Sequence, residues 1–158
     1  MVELPAIFQT AIDRFTGMQQ AFEVFGESLL QNTKFTDWLV AFNLDDMYEG
    51  KRPDGTPIEK TPLPWQQDNR YEQSTIAEKK VKGQVYDRVT LKDTGAFYEG
   101  VKVNVVGSQQ LRIEDTDPKT DSLIATWGLV LGVSPENLEQ FIEIIRPEFV
   151  RFAESYFA

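Results

Sequence analysis

From Pro5 to Gln31 the apolar residues Ala11, Phe15, Met18, Phe22, Phe25 and Leu29 recur at alternating steps of four and three. That spacing places them on one stripe of an α-helix. Pro5 suits the first turn, where its missing N–H is no loss. Gly17 and Gly26 interrupt the stripe, each at a cost of up to about 1 kcal/mol relative to Ala. The helix therefore needs a partner surface, either this chain's own sheet or another subunit, and the pattern favours neither. Beyond Asn32-Thr33, the residues Phe35, Trp38, Leu39 and Phe42 mark a second amphipathic helix ending near Tyr48-Glu49-Gly50.

The stretch from Gly50 to Trp65 holds four prolines and two glycines, which forbid a long regular element, and Pro53-Asp54-Gly55 is a tight turn. Glu72 to Lys82 forms a short helix capped by Ser74 or Thr75. The period then changes from helical to alternating. Val89 and Leu91, then Val101, Val103 and Val105, then Leu111 and Ile113 alternate with polar residues as strands with one wet face do. Gly107-Ser108-Gln109-Gln110 joins the last two into an antiparallel hairpin. Asp115 to Asp121 is a polar turn, and Leu123 to Gly132 is a short buried helix or strand that periodicity cannot assign. Ser134-Pro135-Glu136 starts the last helix with a cap, a first-turn proline and an acid at the positive end of the dipole. Leu138, Phe141, Ile142, Ile145, Phe149 and Phe152 line its face, and Pro147 is expected to kink or split it near Arg146.

These elements predict one α+β domain over residues 1–158. It comprises N-terminal helices over 1–49, a Pro/Gly-rich loop over 50–70, a short helix with a small antiparallel sheet over 71–133, and a C-terminal helix over 134–158. The absence of Cys and His removes disulfides, thiol nucleophiles, Ser-His triads and His-containing metal sites. No cofactor or metal is expected. The net charge of −9 has the wrong sign for gripping a phosphate backbone, so specific nucleic-acid binding is not expected. No apolar run approaches the roughly 20 residues of a membrane span, and MVELPAIFQ lacks the basic and apolar regions of a signal peptide. A soluble protein made in the cytoplasm, with no membrane partner, is expected.

Asp93-Thr94-Gly95-Ala96 has the letters of the active-site turn of retropepsin-like aspartic proteases. Such an enzyme needs two carboxylates sharing one proton, so a chain with one such Asp must dimerise. Leu129-Val130-Leu131-Gly132 looks like that family's supporting segment. Against it stand Lys92 where that family has a buried apolar residue, Phe97 where it has a small or polar one, and a long N-terminal helix foreign to an all-β fold. The same letters also make a plain corner: Asp93 accepts backbone hydrogen bonds, Gly95 supplies a dihedral other residues resist, and Phe97 enters the core.

A wider pattern runs through the middle of the chain. Gly50 to Gly55 form a Gly-rich turn, followed by Tyr71 with Thr75 and Lys79, the corner Leu91-Lys92-Asp93-Thr94-Gly95-Ala96-Phe97, the strand Val101 to Val105, and Trp127-Gly128. In this order and spacing the chain resembles the virion-morphogenesis and tail-completion proteins of tailed bacteriophages and prophages. It departs from them in its Pro-rich stretch from Thr61 to Trp65 and its aromatic N-terminal helix. The resemblance implies a ring-forming structural subunit at the head-tail connection (neck) or tail end, with no catalytic residues. It implies partners that are other copies of itself and neighbouring portal or tail-tube components, with DNA passing through the ring. Phe15, Met18, Phe22, Phe25 and Leu29 are the candidate oligomer interface, because obligate interfaces resemble a core cut in half.

Weaker signals add little. Asp115, Asp117 and Asp121 lack the spacing of a calcium loop and form a solvated turn. Glu78 to Lys82 is a wet helix face or half of an intersubunit charge contact. Trp38, Trp65 and Trp127 are core or interface anchors. The favoured reading is a virion structural protein, not an enzyme; the alternative is a homodimeric protease using Asp93. Replacing Asp93 with Asn separates them, because only an enzyme has peptide cleavage to lose. A monomeric adaptor for one partner protein is a third possibility.

Overall fold

The computed structural model describes residues 6–60, 70–106 and 110–158, the side chains of 6–12 and 157 excepted. The first-turn place of Pro5, the side chain of Ala11, the Pro-rich stretch with Trp65, and the hairpin loop at 107–109 lie outside these. The chain is α+β. Helices α1 (Ala6–Gln31) and α2 (Thr33–Tyr48) come first, and α3 (Gln73–Val81) and the one-turn α4 (Ala96–Gly100) follow. Strands β1 (Val101–Val105) and β2 (Leu111–Asp115) precede α5 (Thr120–Trp127) and the long α6 (Pro135–Phe157). Asn32 separates α1 from α2, and its side-chain oxygen accepts from the Lys34 amide at 3.1 Å, satisfying one of the donors a helix start leaves orphaned.

α2 is the centre of the molecule because it is apolar on two sides. Phe35, Leu39 and Phe42 pack with Phe141 of α6, while Met47, with Val40 and Leu44 beside it, packs with Ile58, Tyr71, Val89, Phe97, Val101, Trp127 and Val130. β1 and β2 pair antiparallel, with Val101 opposite Asp115 and Val105 opposite Leu111. Val101 and Ile113 pack in the Met47 core, and Val103 and Leu111 pack against the Phe35 cluster, so the hairpin joins both. The stretch whose period was ambiguous is a helix as far as Trp127, ended by Gly128 at φ 81°.

Four expectations need correction. Residues 89–92 form no strand, because their backbone groups are taken by side chains. The Tyr71 hydroxyl accepts from the Thr90 and Leu91 amides at 3.1 and 3.0 Å, Tyr98 donates to the Thr90 carbonyl at 2.6 Å, and Lys79 donates to the Lys92 carbonyl at 2.6 Å. Leu91 is held at φ 56°, a conformation that costs a branched side chain on the order of 1–3 kcal/mol. Ser74 and Thr75 do not cap α3; the cap position is Glu72, whose side chain instead pairs with Lys60 at 3.2 Å. Lys79 is not on a wet face but buried, with its ammonium 4.8 Å from the Tyr71 ring centroid. Pro147 does not split the last helix, which runs unbroken from Pro135 to Phe157.

Candidate functional site

The aromatic stripe of α1 is covered along only part of its length. Phe22 stacks on Phe149 of α6 with ring centroids 4.9 Å apart, and Phe25 meets Phe149 and Phe152 at 5.1 and 5.4 Å. Leu29 packs beside Phe35. The partner surface for this half is therefore the C-terminal helix rather than the sheet. Towards the N-terminus the cover ends: Phe15 is 70% exposed, Met18 44% and Phe22 52%. With Gly26 and Leu30 they line an open groove along α1. Each aromatic left in water forgoes about 1.5–3 kcal/mol of burial.

Several positions of the wider pattern through the middle of the chain lie together in space. Arg52, in the Gly50–Gly55 turn, donates from Nε and Nη2 to the Trp127 carbonyl at 3.0 and 2.9 Å and to the Glu59 carbonyl at 2.6 Å. Tyr71 meets the Trp127 ring edge-on at 5.7 Å. Phe97 and Val101 are buried in the same core, and Leu91 packs against it. This constellation is structural chemistry: a bidentate guanidinium and a tyrosine hydroxyl holding loop backbone that has no strand partner.

At the corner itself, Thr94 Oγ1 lies 3.4 Å from the Ala96 amide, and Gly95 caps α4 at φ 99°, a dihedral that glycine adopts without penalty. Phe97 is buried as expected. Asp93 behaves differently from the expectation, since among the described residues its carboxylate takes no backbone donor. Its Oδ1 accepts from Lys82 Nζ at 2.6 Å, while its main-chain carbonyl accepts from Gln84 Nε2 at 2.6 Å. The hydrogen bond from Lys82 holds the Asp93 carboxyl below the usual carboxylate range and raises the Lys82 ammonium in return. A proton-sharing dyad requires the opposite, a second carboxylate and one carboxyl pushed up. Asp93, 64% exposed beside an ammonium, has the environment of a surface ion pair.

Around this corner the cations gather on phenol rings. Lys92 lies 5.7 Å from the Tyr48 ring centroid and 5.5 Å from that of Tyr98, Arg88 lies 5.6 Å from Tyr48, and Lys80 lies 4.8 Å from Tyr86. Burial pushes the Tyr98 phenol up, which keeps it a donor to Thr90. Of the acidic turn, Asp115 accepts from the Thr120 hydroxyl and the Asp117 amide, and Asp117 from the Lys119 amide. Among the described residues no cluster of three acidic side chains is arranged to hold a metal. Trp127 is buried and Trp38 is 41% exposed, 5.7 Å from Phe42.

Sequence reasoning missed Asn43, Asp46, Arg52 and Lys79 as anchors. For two of them a signal was present: Asn43 and Asp46 extend the spacing of Phe35, Leu39 and Phe42, so polar groups occupy a buried stripe. Comparison with known protein families, with curated proteins and with solved structures finds no match to this chain.

Proposed function

We propose that this chain is a structural subunit of a tailed bacteriophage or prophage virion, one that assembles into a ring at the head-tail connection or at the completed tail end. The observation that carries this reading is the α1 stripe, on which Phe15, Met18 and Phe22 stay exposed although Phe25 packs on α6 and Leu29 on the Phe35 cluster. An apolar surface on a neighbouring copy would remove them from water. The order of features shared with phage assembly proteins supports the same conclusion, as does their convergence on one core.

The partners of this reading are other copies of the chain and the neighbouring portal or tail-tube components. The protein is made in the host cytoplasm and ends in the particle. Among the described residues no helix is long and apolar enough to cross a membrane. A charge of −9 per subunit gives a ring whose channel repels passing DNA, and a basic bore in the assembled particle would overturn that role.

Sedimentation over rising concentration tests the assembly, with imaging and mass spectrometry of purified particles testing its place. The wild-type chain is expected to gain mass, and Phe15→Ser with Met18→Ser to weaken association at least about tenfold, or roughly 1.4 kcal/mol. Neither side chain is needed for the Phe22–Phe149 stack. Tailed particles that lack the chain would refute the proposal.

A further inference from the structure

We propose that the contact between neighbouring copies is head-to-tail, the Lys- and Tyr-rich face around Lys92 on one copy receiving the acidic stripe of α6 on the next. The proposal rests on the ring reading and adds a charged contact to the apolar one made by the α1 stripe.

Charge is distributed unevenly along this chain. Residues 70–92 carry six basic and three acidic side chains, in a protein whose net charge is −9. Subunits of that charge repel one another as wholes, and a local region of opposite sign offsets that repulsion. A notch of about 190 Å³ in this region is lined by Tyr48, Gly83, Gln84, Val85, Thr90 and Lys92, with Lys92 the basic side chain among them. Lys82 and Arg88 are engaged by Asp93, Glu49 and Asp87. Lys80 and Lys92 face phenol rings instead, and among the described residues neither is paired with a carboxylate. A ring face orders an ammonium and removes part of its hydration without neutralising it, which leaves it prepared for an incoming carboxylate. The floor beneath is rigid, because the backbone of 90–92 is tied by Tyr71, Tyr98 and Lys79.

The complementary surface is the first half of α6. Glu136, Glu139 and Glu143 are exposed and lie three and four residues apart, hence on one stripe; Glu143 is paired with Arg146 at 2.7 Å within the helix, so Glu136 and Glu139 carry the contact. Leu138 and Ile142, 46% and 43% exposed, flank it, so the stripe offers acids beside an apolar strip. One copy cannot satisfy itself. Asp46 binds the start of α6 through Ser134 and Asn137, whereas Tyr48 carries the cationic face. Residues two apart point to different sides of a helix. A two-fold contact through either face would set like charge against like. A heterologous contact sets unlike against unlike and, when its rotation closes, makes a ring.

The test reverses each face in turn and reads association by sedimentation velocity. One variant carries Lys80→Glu and Lys92→Glu, the other Glu136→Lys and Glu139→Lys, and circular dichroism establishes that each is folded. Wild-type assembly is expected to weaken in about 1 M salt, where the screening length is about 3 Å. Each variant alone is expected to lose association at least tenfold, on the order expected for buried charge contacts. Mixing the two, or combining both reversals in one chain, is expected to restore it. A wild-type chain that assembles while both variants assemble equally well overturns this interface and leaves the ring standing. Loss in both variants without recovery on mixing overturns the pairing of these two faces. A wild-type chain that stays monomeric at every concentration overturns the ring reading and this contact with it.

Discussion

Lys82 and Asp93 form an ion pair of 2.6 Å between two exposed side chains, and each shifts the other. Asp93 is depressed, so its contribution to stability is present above the unfolded carboxylate's titration and is lost as pH falls through the folded value. Lys82 is raised, so its contribution is present below the unfolded ammonium's titration and is lost as pH rises through the folded value. The pair therefore acts between about pH 4 and about pH 10, and its exposure keeps the effect small. Lys82→Ala is expected to return the Asp93 carboxyl to the ordinary carboxylate range, followed by NMR of the side-chain carbon against pH. An unchanged titration would assign the depression to another group. The letters Asp-Thr-Gly-Ala could not reveal this environment, because the deciding partner comes from the end of α3.

α2 shows what an element with two working faces requires. Phe35, Leu39 and Phe42 bury one face, and the same stripe ends in Asn43 and Asp46. Asn43 donates to the carbonyls of Val130 and Gly132 at 2.9 and 2.6 Å. Asp46 accepts from the Ser134 amide, the Ser134 hydroxyl and Asn137 at 2.9, 3.0 and 2.8 Å. A carboxylate at the positive end of α6 is favoured by the helix dipole as well as by these donors. Asp46→Ala strands buried donors and is expected to cost about 3 kcal/mol, read as a lower urea midpoint. A change within about 0.5 kcal/mol would mean that water replaces the carboxylate at no loss. Gly132, at φ 153° beneath Pro53, belongs to the same junction, and a Cβ there would come within 2.7 Å of the proline ring. The helices on either side were evident from periodicity and capping; the clamp between them was not, since its two halves lie 88 residues apart.

At the scale of the whole molecule, two cores share α2, and the N-terminal half of α1 carries aromatic surface beyond both. Amides from Asp13 to Gln20 are expected to exchange rapidly in the dilute monomer and to gain protection at least about tenfold on assembly, because few buried contacts hold them otherwise. Equal exchange in monomer and assembly would place the subunit contact away from α1. The sequence by itself determined the helices at both ends, the hairpin, the Ser134 cap and the burial of Phe97, since each depends on period or on neighbours within a few residues. It also determined the net charge of −9. Only the tertiary structure decided that 89–92 is a tied loop, that Lys79 is buried, and that α6 covers part of the α1 stripe. Those outcomes depend on which distant side chain reaches a given backbone group or ring first, a competition that local pattern does not encode.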